Sequence, residues 1–98
     1  MNYTDKIEAA QLSIFYNIDI TMLTSLNELG LIEIETVNNV MYIPITFIGK
    51  LERYINYHQL MDINIAGIHA IENLLQRTIL LQQQVTQLTN QLSFYKHK

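Results

Sequence analysis

The sequence has 98 residues, of which 49% are hydrophobic, a net charge of −3 and no cysteine. A chain of this length forms one domain with a modest core and has little room for the deep cleft of most enzymes. The lack of cysteine excludes disulfides and thiolate metal sites, and the hydrophobic content excludes an intrinsically disordered chain.

A short helix is predicted first, over Ala9–Tyr16. The apolar residues that we expect on its core side are Leu12, Phe15 and Tyr16, and those expected to point outward are Gln11 and Ser13. Asn17 follows, and because asparagine tolerates a left-handed backbone conformation, we expect it to end the helix.

A second helix is predicted from Asp19 or Thr21 to Leu29. Its apolar residues recur at helical spacing: Met22, Leu23, Leu26 and Leu29. Gly30 follows as the left-handed residue that commonly ends a helix. Two helices of about eight residues joined by a tight turn form a helix-turn-helix.

After Gly30 the hydrophobic period changes from 3.6 to 2, which is typical of β-strands. Residues 31–35 alternate, Asn38-Asn39 is a plausible two-residue hairpin turn, and residues 40–43 form the returning strand. The sequence therefore predicts a small β-hairpin, called the wing below, which Pro44 ends.

A third helix is predicted from Pro44 to Met61, with Leu51 and Ile55 on its apolar face and Lys50 and Arg53 on another. The short link Asp62-Ile63 leads to the last predicted element.

The last third of the chain, from Asn64 to about Tyr95, is predicted to be one long amphipathic helix. Asn64 is a suitable N-cap, and Ile63 and Ile68 occupy the two positions of a hydrophobic staple. Leucine, glutamine and alanine favour a helix, and no glycine or proline follows Gly67.

Apolar residues of this helix recur every three or four residues, a coiled-coil pattern. We call these residues the seam, and only Thr78 interrupts it: Ile71, Leu74, Leu81, Val85, Leu88, Leu92 and Tyr95. About thirty residues make a rod of roughly 45 Å, whereas a compact domain of this size has a radius of gyration of about 13 Å.

The helix should therefore project beyond its own domain and pair with a second copy. We assign homodimerisation to Leu74, Leu81, Val85, Leu88 and Leu92. The alternative is that the seam packs back on the N-terminal part of the chain. A second apolar stripe could serve that packing while residues 81–95 stay free: Ile68, Leu75 and Ile79.

The start of the chain lacks the basic and apolar regions of a signal peptide. Its uncharged segments are interrupted by Asn, Thr or Gln, so we expect no membrane span. We therefore expect a cytoplasmic protein. Residues 1–62 form the predicted helix-turn-helix domain and residues 63–98 the dimerisation helix, together one structural unit.

The order of these elements resembles the MerR-like winged helix-turn-helix superfamily, and within it the CbpM-type chaperone modulators. The residues that carry the resemblance are Leu51–Ile55, Leu60–Ile68 and Ile18–Ile34. It implies a mainly α fold with a hairpin wing and a C-terminal coiled coil. It also implies that the chain binds and inhibits the J-domain of a DnaJ-like (CbpA-like) co-chaperone.

Charge separates this function from DNA binding, the other function of the superfamily. Residues 1–35 contain six acidic side chains against one lysine, a net charge of −5, and residues 36–98 contain three against five basic ones, a net charge of +2. A DNA reader needs Lys and Arg to neutralise phosphates, and the second helix and the wing contain neither.

We therefore do not expect nucleic acid to be the partner. Instead, we expect a basic protein helix to bind an acidic face. This acidic face consists of Glu8, Asp19, Glu28, Glu33 and Glu35. Two alternatives stay open: a MerR-like DNA-binding transcriptional regulator and a dimer module with an unrelated partner.

No enzyme signature is present, and we expect no cofactor and no metal. The three histidines lack the spacing of a metal site, no serine has a local base that could activate it, and the isolated glycines form no phosphate-binding loop.

Overall fold

A computed structural model describes residues 5–96 as four helices and three short strands. In chain order these are β1 Lys6–Glu8, α1 Ala9–Tyr16, α2 Ile20–Glu28, β2 Glu35–Val37, β3 Val40–Pro44, α3 Ile48–Met61 and α4 Ile65–Lys96. A single 3-10 turn, Ile45–Phe47, joins β3 to α3. The fold is the predicted mainly α winged helix-turn-helix with a long last helix.

The helix-turn-helix formed by α1 and α2 is confirmed together with its end signals. Asn17 has a φ of 55° and ends α1, Asp19 is the N-cap of α2, and Gly30 has a φ of 78°. The two left-handed residues allow the chain to turn sharply at a low cost.

The predicted orientation of α1 is wrong for two side chains. Phe15 is 78% exposed rather than in the core, and Ser13 is half-buried, with its hydroxyl donating to the carbonyl of Ile18. Ala9 and Leu12 supply the buried side of α1. Because the eight-residue helix has apolar residues all around it, periodicity alone did not fix which ones face the core.

The three strands form an antiparallel sheet in the order β1-β3-β2. The hairpin turn is confirmed at Asn38 and Asn39, whose φ values of 53° and 65° suit a type I′ turn. The predicted first strand is wrong for residues 31–34, which form an irregular connection before β2. Leu31 and Ile32 are both buried although consecutive, and successive residues of a strand point to opposite faces.

β1 was not predicted. It contributes three residues that pair with β3, with Lys6 opposite Pro44 and Glu8 opposite Tyr42. Three residues are too few to show a period-2 pattern, so tertiary pairing with the wing determines this strand.

The core lies where α1, α2, α3 and the sheet meet the first turns of α4. Its most buried large side chains are Leu23, Leu26, Ile32, Ile43, Leu51, Tyr54 and Ile68. The hydroxyl of Tyr54 donates to the carbonyl of Leu31 at 3.3 Å, which satisfies the polar atom that its burial would otherwise isolate.

The N-terminus of α4 has the predicted cap. Asn64 Oδ1 accepts the backbone N–H of Gly67 at 2.8 Å, Ile68 is fully buried, and Ile63 packs against the core. All side chains from Asn73 to Lys96 are exposed, so the seam does not pack back on its own domain.

The molecule is elongated, with extents of 62 × 38 × 19 Å and a radius of gyration of 18.6 Å. A compact domain of this length would have about 13 Å.

Candidate functional site

The acidic face is distributed over several elements. Asp19 and Glu28 lie at opposite ends of α2, Glu33 lies in the connection after it, and Glu35 lies in β2. These four side chains are exposed, whereas Glu8, the residue before α1, is half-buried. Because nine helical residues span about 13 Å, the two ends of α2 are separate sites.

Glu28 and Glu33 are brought to the same end of α2. Asn27 Oδ1 accepts the backbone N–H of Ile34 at 3.1 Å, which fastens the connection to the last turn of the helix. Both glutamate side chains are exposed at this end of the helix, and two carboxylates there would attract a basic side chain of a partner.

The negative charge of Glu35 is partly compensated. Lys6 Nζ lies 3.4 Å from Glu35 Oε1 and 5.0 Å from the centre of the Tyr42 ring. Glu8 and Glu35 both lie opposite Tyr42, one on each side of β3, and so share a face of the sheet. Glu35 is therefore the weakest contributor to the acidic face.

Arg53 of α3 is bound to the chain's own Glu72 of α4. Its Nη2 lies 2.7 Å from Glu72 Oε1 and its Nε lies 3.2 Å from Glu72 Oε2, a two-point pair. The hydrogen bond to Glu72 is the main reason that the pKa of Arg53 is raised above its ordinary value.

Among the lysine and arginine side chains of residues 5–62, Lys50 is thus the one that forms no ion pair with a carboxylate of the described residues 5–96. Its Nζ lies 5.5 Å from the centre of the Phe47 ring.

Tyr16 fixes α1 against α3. Its hydroxyl donates to Glu52 Oε2 at 2.7 Å, and Gln59 Nε2 donates to its backbone carbonyl at 3.4 Å. Partial burial, followed by the hydrogen bond to Glu52, raises the pKa of Tyr16 to about 12. The raised pKa reflects the stabilisation of the protonated phenol, which donates this hydrogen bond.

An apolar groove of about 450 Å³ lies between α1, the start of α2 and the turn of the wing. The side chains that matter for its chemistry are Glu8, Ser13, Ile14, Ile20, Val40 and Met41. The sequence pattern does not indicate this groove, because apolar residues at helix and strand ends produce no period.

The predicted dimerisation residues share one exposed stripe of α4. Leu74, Leu81, Val85, Leu88 and Leu92 are each between 59% and 64% exposed. Leu75 and Ile79, of the second stripe, are also exposed, whereas Ile68 is buried in the domain. Five large apolar side chains in a row on a projecting helix are typical of an association surface.

Comparison with known protein families assigns the chain to one family. Residues 7–90 match the family described as MerR HTH family regulatory protein. The chain belongs to this family. No curated protein and no solved structure matches the chain.

In this MerR-family chain, the described residues 5–96 contain no group of three or more His, Cys, Asp and Glu side chains that could hold a metal ion. Among the helices of the same residues, none is both long enough and apolar enough to span a bilayer.

Proposed function

We propose that this MerR-family chain is a protein-binding regulator that binds and inhibits the J-domain of a DnaJ-like co-chaperone. The observation that carries the proposal is the lack of available basic side chains where a DNA reader needs them. α2 and the wing have none, Lys6 is paired with Glu35, and Arg53 is paired with Glu72.

The charge balance disfavours a phosphate backbone as the ligand. Each phosphate contact of a DNA-binding protein releases counterions, and this term supplies most of its non-specific affinity. With Lys50 as the remaining unpaired cation of the winged domain, the chain would gain little of this free energy. The exposed carboxylates on α2 and in the connection after it would repel the duplex.

The same charges favour a basic protein helix as the partner. J-domains resemble one another in presenting such a helix to Hsp70, and occupying it would block that encounter. We expect Glu28 and Glu33 to pair with it, because both are exposed and the Asn27 hydrogen bond holds the connection after α2 against the end of that helix. Asp19 and Glu8 add charge near the start of α2 and α1, and Glu35 adds less because Lys6 accompanies it.

A MerR-like DNA-binding transcriptional regulator is the second candidate, and membership of the MerR family favours it. That function would have to use Lys50, and Arg53 only after its pair with Glu72 had broken. Binding to a defined DNA duplex at nanomolar concentration and physiological salt would select this candidate over the first.

The test is a calorimetric titration of this chain with the J-domain of the co-chaperone from the same cell. Reversing Glu28 and Glu33 to Lys should weaken binding about tenfold at low salt, because charges at an interface rim mainly accelerate encounter. The isosteric pair Glu28→Gln and Glu33→Gln should have a smaller effect, and high salt should reduce the difference.

The mass of the protein in solution should be the same for all three forms, which shows that assembly is intact. A wild-type chain that does not bind the J-domain would overturn the proposed function. Equal affinity of all three forms would show instead that the interface lies elsewhere.

A further inference from the structure

α1 exposes two adjacent large apolar side chains that lie outside the core. Ile14 is 81% exposed and Phe15 is 78% exposed, among the highest values of any large apolar residue of residues 5–96. Ala9 and Leu12 of the same helix are buried in the core, and Ile14 lies on the side of the helix away from them. A short surface helix that is apolar on both sides has a second surface to cover.

Ile14 borders the groove between α1 and the wing, whereas Phe15 lies next to Ile14 along the chain and does not line the groove. Ile14 forms one wall, Val40 and Met41 of β3 form the other, and Ile20 lies at the start of α2. Both walls are fixed, since α1 is tied to α3 through Tyr16 and Glu52, and β3 pairs with strands on both of its sides. A pre-formed apolar groove binds a partner with little loss of its own conformational entropy.

Glu8 gives the groove its charge. It is the only ionisable side chain among the lining residues. It precedes α1 without capping it, and within residues 5–96 its carboxylate is in neither of the two ion pairs. A half-buried carboxylate next to apolar walls would be stabilised by a basic group that arrives with the partner.

We propose that this groove binds an amphipathic helix that covers Ile14, Ile20 and Met41 with its apolar side and pairs a lysine or arginine with Glu8. The helix length fits: the eight residues of α1 span about 12 Å, which two to three turns of a partner helix would cover. The assignment of this helix to a J-domain rests on the proposed function. The preference of the groove for a basic amphipathic helix is independent of it.

The first experiment tests the groove without a J-domain. The probe is a synthetic helical peptide with leucines on one face and lysines on the other, and its control has glutamates in place of the lysines. Methyl NMR spectra of the full-length chain should show shifts at Ile14, Ile20, Val40 and Met41 with the lysine peptide. The glutamate peptide should bind at least about tenfold more weakly, because like charges in contact disfavour binding.

Glu8→Gln should reduce the difference between the two peptides while the groove methyl groups still shift. Shifts confined to the leucines and Val85 of α4 would mean that the peptide binds the seam, and this would overturn the proposal. Equal shifts with both peptides would overturn its electrostatic part, which is the assignment of a basic partner.

The second experiment uses the J-domain and a matched pair of variants. Ile14→Asp with Phe15→Asp places one charge in the groove and one on the residue next to it, and Leu60→Asp with Met61→Asp places two charges on another exposed apolar pair, at the end of α3. Leu60 and Met61 are 77% and 62% exposed, so both variants should fold, which circular dichroism checks. The α1 variant should lose at least about tenfold in affinity, as expected when a central apolar contact is removed, and the α3 variant should bind like wild type.

The outcomes separate this inference from the proposed function. If the J-domain binds wild type and the α1 variant equally, the J-domain does not bind in the groove and the proposed function stands. If the wild type binds no J-domain but the lysine peptide shifts the groove methyl groups, the function is wrong and the groove stands. If the α1 variant changes the mass of the protein in solution, the groove binds a second copy, and the proposal is overturned.

Discussion

Two ion pairs in the described residues differ strongly in their surroundings, and this difference decides what each contributes. The carboxylate side chain of Glu72 is 11% exposed and that of Glu35 is 53% exposed. Exposed pairs contribute about 0–1 kcal/mol, because water screens them and both side chains lose freedom. A buried carboxylate that loses its partner retains the cost of desolvation. Glu72 therefore depends on Arg53 far more than Glu35 depends on Lys6.

We expect Arg53→Met to lower the free energy of unfolding by about 1–3 kcal/mol, the cost of leaving a buried charged acceptor without its donor. Arg53 itself is partly exposed, with 44% of its side chain accessible, which keeps this value below that of a fully buried pair. Urea unfolding at neutral pH measures it.

Lys6→Met is the control, with an expected loss under about 1 kcal/mol. The double variant Arg53→Met with Glu72→Met should recover part of the stability, because no unpaired charge then remains. Equal losses for Arg53→Met and Lys6→Met would contradict the structural role of the buried pair.

At the scale of single elements, two helical glycines provide a comparison of backbone propensity with packing. At Gly49, in the first turn of α3, an added methyl group would have no heavy atom within 4 Å. At Gly67, in the first turn of α4, the same group would lie 2.7 Å from Ile63 Cγ2 and 3.2 Å from Asn64 Oδ1. The second position is thus closed by the cap and staple of its own helix.

Gly49→Ala should stabilise the protein by about 0.5–1 kcal/mol, the difference between the helix propensities of the two residues. Gly67→Ala should not show this gain and should be destabilising, because the β-branched side chain of Ile63 cannot yield without leaving the core. Thermal unfolding of the two variants side by side measures the difference. A gain at both positions would show that the cap and staple do not restrict Gly67.

The elements that the sequence predicted best are those with chemical end signals. Asn17, Gly30 and the Asn38-Asn39 pair all have the positive φ values expected of them, and Asn64 caps α4. Such signals are local, so one sequence is sufficient to identify them.

The misses are features that depend on tertiary packing. β1 forms because its backbone pairs with one edge of β3. Residues 31–34 are irregular because both Leu31 and Ile32 enter the core. Arg53 reaches Glu72 across nineteen residues, a pairing that no helical spacing indicates. The groove beside Ile14 likewise joins two helices and a hairpin turn, so only the folded chain shows it.

At the scale of the whole molecule, the winged domain and the projecting half of α4 differ in whether they bury their own apolar side chains. The domain buries its own core, whereas the seam from Leu74 onward is exposed along its length. The pattern has Val85 and Leu92 at one core position of the heptad and Leu81 and Leu88 at the other. Such a helix is stable when a partner covers these positions.

We expect the protein to be a homodimer whose association depends on this stripe. Each leucine that becomes buried contributes about 1.5–3 kcal/mol, so Leu88→Asp with Leu92→Asp should yield a monomer with an intact winged domain. Gln83→Asp with Asn90→Asp places the same charges on the polar side of the helix and should stay dimeric. Light scattering at tens of micromolar separates the two outcomes, and a monomeric wild type at that concentration would contradict the homodimer.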